Sequence, residues 1–419
     1  MFELSAQRHS LKPRILFLVQ SDLESLRLKG VDSLILERDE RGFFERVVTV
    51  HPFAMADRTL ALNPTHVVVE FGVGRLLAPG LARWARAGVL PLALLGVLAR
   101  LIRLARVERI DLIRATDPYV MGVLAWALSR ATGRPFCVSL HADYAKNFAI
   151  NPKRGFSKWL RTLSAWCPDF VLPRADMVLP ISEYLARPLL AEGVRAEKVR
   201  IIPHGVELDP DIGLAASDLD GRLSTADGKA LVSVVARMST ETYVFDVLEV
   251  ARNLSRRRDD FRVVIVGSGP EEDRVRGQIA ADEDLRRAVV LLGFQPRALG
   301  LALRQRSRAA MCLLGGFSLL EACAARCPVV AYDVEWHGEV VENGRSGFLV
   351  REHDIDGATR AVEHLLDQPE VARAMGERAR AIVCERYSLE RTIELKRESY
   401  RELLDSRTGG RAPSTDPEA

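Results

Sequence analysis

Gly315-Gly316-Phe317-Ser318-Leu319-Leu320-Glu321-Ala322, followed by Cys327-Pro328-Val329-Val330-Ala331-Tyr332-Asp333, reads as a glycine-rich turn, a helix start and a buried strand. Ser318 precedes Glu321 by three positions, the spacing of a capping box. Such a turn leaves backbone N–H groups free at the positive end of a helix, a suitable seat for a phosphate. The same residues also admit a plainer reading, in which the capping box starts a helix and does nothing else.

Working outward, the stretch runs on through Glu339-Val340-Val341 and Asn343-Gly344-Arg345-Ser346-Gly347-Phe348-Leu349-Val350. In this order the segments resemble the nucleotide-sugar site of glycosyltransferase family 4, the retaining enzymes of the GT-B fold. The resemblance implies an α/β protein of two doubly wound Rossmann-like domains facing a cleft. It implies that the turn N–H groups hold a diphosphate and that Glu321 binds ribose hydroxyls. Donor-binding roles fall by the same resemblance on Gly205, Arg237, Gly267, Phe294, Gly316, Phe317, Ser318, Leu319 and Glu321. His141 and Arg237 become the catalytic candidates, with no metal and no cofactor beyond the nucleotide-sugar substrate.

The remaining sequence alternates strands and helices in both halves. Pro13–Gln20 is a short apolar run bounded by polar residues, the pattern of a buried strand. Val47–Val50 and His66–Glu70 follow it. Pro135–Tyr144 is a strand with His141 near its carboxyl end, where ligands of open α/β sheets collect. Ala230–Ala236, Arg262–Val266 and Val289–Phe294 repeat the pattern in the second half. This alternation favours two doubly wound domains. The expected division is 1–207 for an acceptor-side domain and 208–387 for a nucleotide-sugar domain. Residues 208–229 read as a polar linker, a helix at 388–405 is expected to cross back to the first domain, and 406–419 to form a disordered tail.

Composition limits the function classes. A formal net charge of +3 over 419 residues is too small to argue for nucleic acid. The six cysteines contain no C-x-x-C pair and read as reduced core thiols, which favours a cytoplasmic protein. No apolar run reaches the ~18 residues needed to span a bilayer. In residues 80–109 Pro91 reads as a helix start, Val89–Ala99 is apolar, and Arg100, Arg103, Arg106 and Arg109 recur every third residue. That pattern suits either a core helix with a solvated basic face or a peripheral contact with the anionic inner face of a membrane. A second basic cluster, Lys153–Arg161, points the same way. The partners implied are a nucleotide sugar and a glycan or lipid-linked acceptor.

Three positions depart from the resembled pattern. Ser21-Asp22-Leu23-Glu24-Ser25 stands where a paired-glycine loop is expected after the first strand, Thr242 where a lysine pairs with the arginine, and Leu313 where a glutamate precedes Glu321 by eight residues. Three readings follow: an active glycosyltransferase with an altered donor site, a GT-B protein that binds nucleotide sugar or a partner enzyme without efficient turnover, and a dinucleotide oxidoreductase suggested by Gly267-Ser268-Gly269. The last motif has Glu272 in place of a third glycine.

Overall fold

The computed structural model describes residues 12–21, 23–24, 37–77, 83–142, 166–208, 219, 221, 223 and 228–408. They form two compact units, one running to Ile202 and resuming at Ile393, the other spanning Pro203–Thr392. The basic cluster at 153–161 lies outside the described residues.

In the first unit the strands are β1 (Arg14–Leu18), β2 (Arg46–His51), β3 (Arg58–Ala61), β4 (His66–Glu70), β5 (Leu112–Ala115), β6 (Phe136–Leu140) and β7 (Met177–Pro180). They pair in the order β3-β4-β2-β1-β5-β6-β7, parallel except for β3 against β4. Ile15, Leu16 and Leu18 are fully buried, as befits a strand covered on both faces. Leu23 fills part of the turn after β1 and donates its N–H to Glu70 (3.1 Å), so a side chain occupies a place where paired glycines leave room.

The helices flanking this sheet include α1 (Arg83–Val107), α2 (Val120–Thr132) and α3 (Glu183–Ala191). Pro91 lies inside α1 rather than at its start, because the helix begins at Arg83. Among the described residues no helix is long and apolar enough to cross a membrane.

In the second unit β8 (Ala230–Val235), β9 (Phe261–Val266), β10 (Val289–Gly293), β11 (Ala309–Met311), β12 (Val329–Tyr332) and β13 (Gly347–Val350) form a parallel sheet in the order β10-β9-β8-β11-β12-β13. Its helices are α4 (Val244–Ser255), α5 (Glu272–Ala281), α6 (Glu283–Ala288), α7 (Arg297–Arg306), α8 (Phe317–Ala324), α9 (His337–Val340), α10 (Ile355–Asp367) and α11 (Pro369–Arg386). Because β8 has β9 on one side and β11 on the other, the strand order reverses there. Ligands of open α/β sheets bind beyond the carboxyl ends at such a switch point. The expected polar linker needs correction: Leu219 and Leu223 are buried and join Val264, Leu299 and Leu303 in the core. Their four-residue spacing lets two leucines share a helical face despite polar neighbours.

The last helix, α12 (Leu389–Thr408), starts in the second unit and from Ile393 on belongs to the first. It extends through Thr408, so 406–408 are helical rather than part of a tail. Tyr400 and Leu403 enter the first unit's core with Phe17, Phe44 and Leu112. Arg114 donates to the Tyr400 hydroxyl and to Ser139 Oγ (2.8 Å), satisfying a guanidinium buried beneath the helix.

Candidate active site

The turn after β11 leads into α8 at Phe317. Gly316 is the cap residue, at φ −88° and ψ −103°, and no side chain caps the helix. The first N–H groups of α8 have no intrahelical acceptor, so an anion is a natural partner for them. The capping box therefore does not form. Ser318 already lies inside the helix, where its hydroxyl donates to the Val235 carbonyl (2.5 Å) and receives Arg304 Nη2 (2.9 Å). Those bonds tie the helix start to the carboxyl end of β8. His337, buried in α9, fixes the other side of the turn. Its Nδ1 lies 2.8 Å from the Tyr332 carbonyl oxygen, and its Nε2 lies 3.3 Å from the Gly315 nitrogen.

Glu321 is held from two sides. Arg297 Nε reaches Oε1 at 2.6 Å and Arg304 Nη1 reaches Oε2 at 2.7 Å. The Arg304 side chain is 1% exposed and that of Glu321 10%, so this is a buried pair whose outer partner, Arg297, is half exposed. Glu321 is thus the counter-charge of Arg304 and keeps only a narrow exposed surface. The arginines come from α7 and were not singled out by sequence reasoning. Leu313 is buried in the core, so no carboxylate occupies that place.

Arg237 follows β8 and is exposed; among the described residues its guanidinium forms no ion pair. Its main chain is held firmly. A Cβ on Gly267 (φ +146°) would lie 1.9 Å from the Ala236 carbonyl oxygen, and one on Gly269 would lie 2.2 Å from that of Met238. Met238 also donates its N–H to Ser268 O (3.0 Å). The two glycines thus let the β9 loop close onto the segment carrying Arg237. Thr242 turns inward, its hydroxyl donating to the Arg237 carbonyl (2.5 Å), and caps the Thr240–Thr242 turn reciprocally with Ser239.

The other donor-binding candidates divide. Phe294, 61% exposed beyond β10, joins Arg237, Gly267 and the start of α8 at the carboxyl edge of this sheet. Phe317 is half buried with its ring 4.5 Å from that of His204, and Leu319 is buried in the core. Gly205 packs against α12, where a Cβ would lie 2.9 Å from Leu389 Cα. Arg345 lies just before β13, on the opposite edge from Arg237.

His141 belongs to the first unit and is partly exposed just past β6. Asp117, past the adjacent β5, is buried, and burial pushes its carboxyl up to about 6, against the backbone N–H bonds of Tyr119 and Met121. Among the described residues no three His, Cys, Asp or Glu side chains group as a metal site.

Residues 218–382 match the model for glycosyl transferases group 1, and residues 40–210 that for glycosyltransferase family 4. The chain is 26% identical over 289 residues to an alpha-D-kanosaminyltransferase of Streptomyces kanamyceticus, spanning 66% of this chain and 73% of that protein. It is 27% identical over 302 residues to a D-inositol 3-phosphate glycosyltransferase of Gordonia bronchialis, spanning 69% of this chain and 65% of that protein. Among solved structures, the sucrose-phosphate synthase of Thermosynechococcus elongatus superposes with a TM-score of 0.73 at 18% identity, covering 94% of this chain and 100% of that one. Anabaena HepE in complex with UDP and glucose gives 0.68 at 19% identity, with 94% and 100% covered.

Proposed function

Since the chain belongs to the group 1 glycosyltransferases of the GT-B fold, we propose that it moves a hexosyl group from a nucleoside-diphosphate sugar to a glycan or lipid-linked acceptor, with retention and without a metal ion. The observation that carries this reading is the exposed Arg237 beside the uncapped start of α8, at the switch point of the second sheet. In this reading the bond between the anomeric carbon and the diphosphate oxygen breaks, and its electron pair leaves with the diphosphate. Arg237 and the α8 N–H groups meet the growing negative charge, a pre-organised arrangement that favours the transition state over the bound substrate. The acceptor hydroxyl attacks from the face that the leaving group vacates, and its proton passes to the departing phosphate. His141, at the carboxyl edge of β6, is the proposed sugar-contacting residue. HepE, with UDP and glucose bound, supports a uridine nucleotide as the first donor to try. The buried thiols of Cys137, Cys312, Cys323 and Cys327 support a reducing compartment such as the cytoplasm.

A thermal-shift screen against UDP, GDP, ADP and their sugar conjugates, followed by nucleotide release with an acceptor extract, tests the proposal. A nucleotide at 100 times its dissociation constant stabilises the fold by about 2.7 kcal/mol. No stabilisation and no release across the panel would reject the reading. Thr242→Lys should raise donor hydrolysis up to about tenfold, the effect of some 1.4 kcal/mol of added charge stabilisation. It should also cost about 1 kcal/mol of stability through the lost cap. A flat or lower rate would show that the leaving group is already neutralised by other groups.

The outer face of α1 supports peripheral binding to an anionic membrane. Leu92 and Leu95 are 70% and 62% exposed, and Arg103, Arg106 and Arg109 are exposed beyond them. Arg100 is engaged with Asp57 (2.6 Å). Each basic residue near such a surface contributes about 1 kcal/mol. Vesicles containing anionic lipid should sediment the protein at low salt and release it at high salt, and Leu92→Glu with Leu95→Glu should abolish the low-salt binding. Equal recovery in the supernatant with and without vesicles would remove this surface from the proposal.

A further inference from the structure

The opposite, amino-terminal edge of the second unit's sheet carries a cleft of about 510 Å³, within the size range of small-molecule sites. Arg306, Arg308, Arg326 and Arg373 line it, together with the first turn of α11. We propose that this cleft binds the phosphoryl group of a small phosphorylated metabolite, apart from the nucleotide seat at the other edge.

Arg326 is the most informative wall residue. It follows α8 at φ 59°, the left-handed position where helices ordinarily end on glycine because a Cβ is crowded there. An arginine at such a place carries a steric cost that glycine avoids, and an observed outlier of this kind is a reason to look for function. Its backbone is also locked. α11 approaches so closely that a Cβ on Gly376 would lie 2.0 Å from the Arg326 carbonyl oxygen.

The charges are unbalanced in favour of an anion. Glu377 pairs with Arg326 at 3.2 Å, and Glu370 pairs with Arg373. Both pairs are solvent-exposed and so exchange readily for a better partner. Arg308 is half buried with its N–H bonded to the Leu231 carbonyl (2.7 Å), and among the described residues its guanidinium has no carboxylate partner. α11 contributes the positive end of an 18-residue helix, with Pro369 in its first turn and no side-chain cap from Gln368. Arginine forks and helix N–H groups both match phosphate oxygens. A cleft of this volume suits a small molecule better than a polymer.

Pyrophosphate is the probe, titrated at constant ionic strength by calorimetry and thermal shift. The full-length chain carrying Arg237→Ala is the background, which weakens the nucleotide seat at the other edge, and only the pyrophosphate binding that Arg326→Gly and Arg308→Gln reduce is assigned to the cleft. Binding below about 1 mM is expected. Arg326→Gly and Arg308→Gln, each added to that background, should weaken it roughly tenfold or more, the effect of losing one charge-assisted bond. Without ligand, Arg326→Gly should melt no lower than its parent, which separates loss of the site from loss of the fold. Equal affinities in the parent and both variants would overturn the proposal, as would saturation only far above 1 mM, the behaviour of an adventitious ion only. A single-stranded oligonucleotide that displaced pyrophosphate at lower concentration would overturn the small-molecule assignment.

Discussion

Glu321→Ala should cost the second unit about 3–5 kcal/mol, because it leaves the guanidinium of Arg304 buried without a counter-charge. For a unit of this size that lowers the melting temperature by roughly 6–20 °C. The loss comes from removing one partner of a buried pair, and it exceeds what a missing helix cap explains, typically about 1 kcal/mol. Glu321→Gln keeps one acceptor, the amide oxygen, for Arg304 and turns its NH2 toward the more exposed Arg297, so it should retain part of the stability that Glu321→Ala loses. Its nucleotide affinity should still fall by about 1.5–3 kcal/mol if the carboxylate contacts the ribose. Thermal melts and nucleotide titrations of both variants separate the two effects. A Glu321→Ala protein that melts within a degree or two of the parent would show that Arg304 is neutralised by another group.

Arg237→Ala should lower kcat by about 10²–10³, the usual consequence of removing one donor to charge that grows in the transition state. The side chain is exposed, so the melting temperature should stay within a degree or two. That combination, a large rate loss on an intact fold, is the signature of a group acting on the leaving diphosphate. Transfer that survives the substitution would place the phosphate clamp on other residues. Gly267 is the corresponding control for position. A side chain there must push the Ala236 carbonyl aside, so it should disturb Arg237 without touching its charge.

The sheets were legible because parallel strands covered on both faces are short apolar runs. Phe261–Val266 and Val329–Tyr332 are such runs. The start of α8 was legible in place but not in chemistry. The Ser318–Glu321 spacing fits a capping box, yet both side chains face inward to partners supplied by β8 and α7. Nothing local in the sequence announces that Arg297 and Arg304, 24 and 17 residues before Glu321, will meet its carboxylate. Pro91 misled for a related reason. Proline favours a first helical position, but the helix that contains it was set by residues further upstream. Gly267 and Gly269 were visible as part of an incomplete dinucleotide motif. Only the carbonyl oxygens of Ala236 and Met238 show that their missing side chains serve the approach of two loops. Leu219 and Leu223 were hidden because polar neighbours dominate the composition of the segment, although their four-residue spacing already marks one face.

The helix carrying Tyr400 and Leu403 also sets an order of events on the ribosome. The strands of the first unit are complete by Pro180, yet two of their core side chains emerge some 200 residues after Ile202, at the end of the chain. At ordinary synthesis rates that interval lasts about 10–40 s. Through it the nascent unit presents Phe17, Phe44 and the guanidinium of Arg114 uncovered, whereas the second unit has all of its own strands once Val350 is made and can close before Tyr400 arrives. A ribosome stalled before Tyr400 would therefore hold a folded second unit joined to a first unit still open for chaperone capture.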